Sequence, residues 1–343
     1  MLKIILRKFR GLQMVSKDII RRFVAQIKKE HSQINESTIE KDFYLTLLLN
    51  EISKDIEENK DSPFRKLVFK GGTLLARVHL DYHRISEDLD FTYLDNKKLN
   101  NISSKQRKKI ISGFTNQLVE EIYKITKKFG LDFSTNKSDK KYCKVADRKN
   151  VYLFKVYYKP VYGAEESIKF EVNFNDELVY PASLMEIKHL FNPELIKDLE
   201  FIEGIKINIR KNILCYDLKE IAVEKIRAVL TRPVIKERDL FDLFLISEKI
   251  ELKELKKNRL IEKVIRTTSF IKGLPQRIKK NLEVLIKREY GIVEEKNKLA
   301  LIKIDKEKYS AFEKSIIPLI IEIGEKSLLK LNQSSTKPQE KLS

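Results

Sequence analysis

The stretch "FKGGTLLARVHLDYHRISEDLDF", residues 69–91, limits what this chain can fold into more than any other. It sets Gly71 and Gly72 side by side after a short apolar run and closes on Asp88 and Asp90, one residue apart. Glycine is scarce, 10 in 343 residues. An adjacent pair therefore points to backbone that a side chain would obstruct.

Read as a strand, "DLDF" has period two. Asp88 and Asp90 then face one way, and Leu89 and Phe91 the other. Two carboxylates about 7 Å apart along a strand repel each other, and hard oxygen donors so placed suit a shared Mg²⁺. The glycines answer a different need. At a strand-to-helix turn, their N–H groups and the helix starting at Thr73 form an anion-binding concavity, to which the Thr73 hydroxyl adds a donor. Phosphate held there, beside a metal on Asp88 and Asp90, is the layout of nucleotidyl transfer. A solvated strand face and a plain turn are the alternative readings of the same residues.

The surrounding pattern is α+β. Helical periodicity covers 13–31, a helix with a capping box at Ser37 and Glu40, and 103–129, which Gly130 stops. Strands are expected at the end of "DSPFRKLVF", at "DLDFTYL", at 151–158 and at 167–174, where Ile168, Phe170, Val172 and Phe174 share a face. From about 214 the pattern is helical. The expected division is N-terminal helices 1–63 packing on the core, an α/β core 64–212, a helical domain 213–331 and a disordered tail 332–343.

Three blocks in order resemble a known family. Lys70-Gly71-Gly72-Thr73 followed by Arg84, Ser86, Asp88, Asp90 and Phe91 is similar to the signature of the DNA polymerase β nucleotidyltransferase superfamily, in the version of its AbiEii/AbiGii (MenT-like) toxin branch. "EKDFYLTLLL" (40–49) and "EKIRAVLTR…ERDLFDL" (224–243) resemble further blocks of that branch. The resemblance implies a polymerase-β-type domain with a mixed sheet, plus a helical C-terminal half. It implies that Asp88 and Asp90 hold Mg²⁺ (or Mn²⁺) and that Lys70, Gly71, Gly72, Thr73, Arg84 and Ser86 bind an NTP. Glu171, on the polar face of "IKFEVNF", is the candidate third metal ligand, with a solvated face as the alternative. Lys225 lies beside the apolar stripe of its helix, where it snorkels to the surface or enters a cleft. The resemblance implies the second, meeting NTP phosphates. Asp239 begins an almost wholly apolar helix and needs a partner: a basic group, or by resemblance the active site.

The formal net charge is +19, and the Lys/Arg excess concentrates in 101–150 and 251–290, densest at 105–109 and 272–280. Such a chain usually meets polyanions; a Lys-rich solvated surface is the alternative. Tyr142, inside "KKYCK", is placed to stack on a base. Cys143 and Cys215 make neither a disulfide framework nor a zinc site, and the four histidines read as surface residues. No run approaches the roughly 20 apolar residues of a membrane span. A cytoplasmic location is expected. The function expected is transfer of nucleotides from NTP to an RNA, by resemblance the tRNA 3′ end, with arrest of translation and restraint by a cognate antitoxin. The rivals are a transferase acting on a small-molecule or protein hydroxyl, and a non-catalytic basic nucleic-acid-binding protein on a degenerate transferase fold.

Overall fold

The computed structural model describes residues 15–146, 150–266, 273–290 and 305–335. Chain contacts divide them into two units. The first holds the described residues up to Glu177 and Ala182–Tyr216; the second holds Leu178–Pro181 and the described residues from Asp217 onward.

In the first unit α1 (Lys17–Glu30) buries the stripe Ile19, Ile20, Phe23, Val24 and Ile27. Helix α2 (Glu36–Glu58) begins earlier than the Ser37 capping box predicts. Asn35 is its cap, accepting from the Ser37 N–H. Glu40 is thereby freed to act elsewhere. Fully buried, it accepts from the backbone N–H groups of Val161 and Tyr162. Burial pushes its carboxyl above the ordinary carboxylate value despite those donors.

Among the described residues, seven strands form one mixed sheet: β1 (Leu67–Lys70), β2 (Asp88–Tyr93), β3 (Cys143–Ala146), β4 (Val151–Tyr158), β5 (Glu166–Asn173), β6 (Ser183–Leu184) and β7 (Leu214–Cys215), in the order β3-β4-β5-β2-β1-β7-β6. Between β2 and β3 runs α3 (Ser104–Lys128). Its start is a capping box of Ser103 and Gln106, and Gly130 beyond its end adopts φ +65°. β1 runs antiparallel to β2, and β2 runs parallel to β5.

Period-two alternation gives the sheet two different faces. Phe69, Phe91 and Phe170 pack on one, with Phe91 stacked on Phe170 at 4.7 Å. Helices cover this face: Phe114 of α3 meets Tyr93 and Phe174, and Tyr44 of α2 meets Tyr158. The other face carries Asp88 and Asp90, and across β5 and β4 it alternates half-buried or exposed residues against buried ones. The strands β3, β6 and β7 are too short, at two to four residues, to show a period.

The second unit is helical: α4 (Leu218–Thr231), α5 (Glu237–Ser247), α6 (Lys257–Arg266), α7 (Leu274–Lys287) and α8 (Lys306–Ser335). The expected tail from 332 begins inside α8, and 336–343 lie outside the described residues. No described helix is long and apolar enough to cross a membrane.

Candidate active site

The double glycine is explained by what surrounds it. Gly71 follows β1 directly and adopts φ +82°, which L side chains rarely take. A Cβ there would overlap the Asp90 carboxylate. A Cβ on Gly72 would stand 2.5 Å from the Arg84 guanidinium and 2.9 Å from the Ser86 hydroxyl. So the motif's parts, spread over about twenty residues of sequence, close on one point. Each glycine makes room for a side chain of the Arg84–Asp90 segment.

The antiparallel register sets Lys70 opposite Asp90. The chain after Gly71 forms one α-turn, Gly71–Leu74, and continues as a π-turn through Leu75–His79. Two expectations change here. The Thr73 hydroxyl is buried and donates to the Asp88 carbonyl, so it fixes the turn to β2 instead of pointing to a ligand. The Lys70 ammonium donates to Asp176 at 3.0 Å. Asp176 also accepts from the Tyr216 hydroxyl at 3.1 Å, Tyr216 shares a hydrogen bond with Thr92, and Asn96 donates to the Asp176 carbonyl. This buried network braces β1, β2 and the chain after β7 from the carboxylate face. Asp176 is the residue that sequence reading missed. It follows β5 in "NFNDE", and only its packing distinguishes it from any loop aspartate.

Asp88 and Asp90 are half-buried. Parallel pairing puts Lys169 beside Asp88 and Glu171 beside Asp90, all on one face. The Lys169 ammonium stands 3.5 Å from an Asp88 oxygen. Among the described residues, no three His, Cys, Asp or Glu side chains gather as a metal site. Glu171 is thus a neighbour in register and not part of a closed ligand set. The donors still fit Mg²⁺, which is usually held by one or two carboxylates with water and substrate phosphates completing its shell. The Asp90 carboxylate itself fills the space that a Cβ on Gly71 would take.

Behind the turn, Arg77 is fully buried and paired to Asp42 of α2 at 2.7 Å, with a second bond to Thr46. This pair anchors the "EKDFYLTLLL" helix to the turn. The histidines are not surface residues throughout. His83 is buried, and His79 Nε2 lies 2.9 Å from the Tyr216 carbonyl.

In the second unit, Lys225 of α4 meets Asp239 at 2.9 Å and Asp242 at 2.6 Å, both on α5 and both fully buried. Arg232 takes the other Asp239 oxygen at 2.5 Å. Lys225 and Asp239 are therefore brought together, as a basic-group pairing of Asp239 predicts. Nearby, Lys263 joins Glu220 and Glu224.

A family model described as nucleotidyl transferase AbiEii toxin, type IV toxin–antitoxin system, matches residues 57–325. Among solved structures, the chain is similar to MenT4, a nucleotidyltransferase toxin of Mycobacterium tuberculosis. The identity is 15% and the TM-score 0.55, over 92% of this chain and 93% of that one. JHP933 of Helicobacter pylori also matches, at 15% identity and a TM-score of 0.42, over 88% of this chain and 99% of that one. No curated protein matches this chain in sequence. The likeness to MenT4 speaks for the fold. The family model spans most of the chain and contains both the glycine pair and the two aspartates, so the chain belongs to the AbiEii nucleotidyltransferase toxin family.

Proposed function

We propose that this toxin-family nucleotidyltransferase moves a nucleotide from an NTP to the 3′ end of an RNA, with tRNA as the acceptor and arrest of translation as the outcome. The observation that supports it is the packing of the glycine turn against the carboxylate strand: Gly71 leaves room for the Asp90 carboxylate and Gly72 for Arg84 and Ser86, so the parts of the motif meet at one point. In the reaction, the acceptor's 3′ oxygen loses its proton and bonds to the α-phosphorus. The bond from that phosphorus to the β-bridging oxygen breaks, and pyrophosphate leaves.

Gly71, Gly72 and Thr73 offer main-chain donors to the triphosphate. Arg84, held beside Gly72, and Ser86 add polar side chains to the same turn. Asp88 and Asp90 hold Mg²⁺, with Glu171 as the third carboxylate of that face. The ion, when bound, lowers the hydroxyl's pKa and stabilises the leaving oxygen. Lys70, fixed by Asp176, keeps a positive charge on the Asp90 side of β1. The resemblance gives Lys225 and Asp239 a part in the same chemistry. Their mutual ion pair makes stability the competing role, and measurement separates the two. A cognate antitoxin is the expected partner, and the cytoplasm the expected compartment.

The test is transfer of α-labelled nucleotide to RNA. Asp90→Ala should stay folded and lose roughly a thousandfold or more of the rate, on the order of what metal stabilisation supplies. Transfer near the wild-type rate by folded Asp90→Ala, or wild-type transfer to small hydroxyl compounds but never to RNA, would overturn the reading.

A further inference from the structure

The sheet's open face does not end at the carboxylates. Register carries one row straight across it. Asp88 of β2 lies beside Lys169 of β5, Lys169 is opposite Lys155 of β4, and the Lys155 N–H donates to the Tyr142 carbonyl just before β3. Directly opposed residues share a face, so these side chains stand on the side that bears Asp88. Lys144 and Tyr157 belong to that face as well, from β3 and β4. Lys141, Lys144 and Lys169 are exposed, and Lys155, Tyr142 and Tyr157 are half-buried. Three strand spacings separate β2 from β3, about 14 Å.

At the far end, the two tyrosine rings meet edge to face at 5.8 Å. The Lys141 ammonium sits over both, 4.7 Å from Tyr142 and 4.8 Å from Tyr157. Asp132 accepts from Lys141 at 2.7 Å and from the Tyr142 hydroxyl at 2.8 Å, which locks the cluster in place. Among the described residues, Asp132 and Glu171 are the acids of this row besides the catalytic pair, Asp176 lies on the other side of that pair bonded to Lys70, and Lys169, Lys155 and Lys144 line the path from the carboxylates to the rings.

We propose that this lane, from Asp88 to the Tyr142–Tyr157 cluster, holds the unpaired 3′-terminal strand of the acceptor RNA. The proposal rests on the RNA-transfer reading and adds to it the acceptor's form and path. A sheet face with lysines for phosphates and aromatic rings for bases suits single strands; a duplex buries the base faces that such rings stack on. The row's geometry then delivers the strand's end to the carboxylates.

The test uses a short single-stranded oligoribonucleotide with a free 3′ hydroxyl and a blunt RNA duplex of the same sequence. Wild-type protein should bind the single strand more tightly. The triple substitution Lys141→Gln, Lys144→Gln and Lys155→Gln should lower single-strand affinity at least about tenfold at low salt. It should also reduce the slope of log affinity against log salt by about 2, near 0.7 for each lost phosphate contact. Tyr157→Leu should cost about tenfold through lost stacking. NTP affinity should hold in both, which separates the lane from the nucleotide site. If wild-type protein transfers to RNA while the variants keep their affinity and slope, the lane is overturned and the transfer reading stands. If wild-type protein neither binds nor extends RNA, both fall. A preference for the duplex also overturns the lane.

Discussion

At the scale of single residues, Gly71 carries the sharpest constraint in the molecule. Its φ of +82° and the carboxylate against its Cα both exclude a side chain. Gly71→Ala should cost about 1–2 kcal/mol for the left-handed backbone alone. It should also shift Asp90 from its place, and a displacement near 1 Å is worth about a hundredfold in rate. Gly72→Ala meets different obstacles, the end of the Arg84 side chain, which can move, and the Ser86 hydroxyl, which needs a shift of only a few tenths of an ångström. That variant should unfold close to wild type and lose less activity. Thermal unfolding and transfer rates on the pair check this; equal losses for both glycines would contradict it. The glycines and aspartates were legible in sequence because turn geometry and period two are local rules. Asp176 was not. Its meaning comes from Lys70, 106 residues away, and no local pattern marks such a partner. Thr73 was misread for the same reason: its hydroxyl bonds to a carbonyl 15 residues on, in a strand that sequence alone does not dock.

At the scale of elements, periodicity served well wherever a segment was long. β4, β5 and α3 stand within a residue or so of their expected bounds, because a run of alternating positions or several helical turns leaves one consistent face. β3, β6 and β7 escaped notice, since their pairing is decided by neighbours. Buried charges on helices were half legible: Asp239 visibly needed a partner, but not which. The α4–α5 contact makes a definite prediction. Lys225 is almost wholly enclosed, and two carboxylates with no exposure bind its ammonium. Lys225→Ala would leave Asp242 and half of Asp239 without that cation, although Arg232 remains on Asp239. Breaking a buried pair from one side costs about 3–5 kcal/mol. Chemical denaturation of the second unit should show a loss of that size. Adding Asp242→Asn to Lys225→Met should recover part of it by removing one of the two buried carboxylates that face the ammonium. An unchanged midpoint for Lys225→Ala, together with weakened NTP binding, would instead assign the ammonium to the nucleotide.

At the scale of the whole molecule, the question is what a net charge of +19 is for. The basic cluster at 105–109 holds two kinds of charge. Arg107 is committed to Asn150, Asn175 and the Phe174 carbonyl, while Lys105, Lys108 and Lys109 are exposed. The cluster at 272–280 starts outside the described residues, and Lys279 and Lys280 are exposed on α7. Sequence density of charge therefore overstates the free charge, and structure removes the arginine that holds a loop. Enough remains to separate the two acceptor classes by salt alone. An RNA held through about four or five phosphates gives a slope near −3 in log affinity against log salt, about a sixtyfold loss between roughly 50 and 200 mM. Transfer to a small neutral hydroxyl involves no such counterion release, so its KM for the acceptor should barely move over that range. NTP binding serves as the internal control, since it titrates separately and its own salt response can be subtracted. Substituting Lys105, Lys108 and Lys109 together by Gln should flatten the RNA slope only if α3 touches the backbone. A steep slope unchanged by that triple variant would place the contacts elsewhere, and a flat wild-type slope would remove RNA as the acceptor.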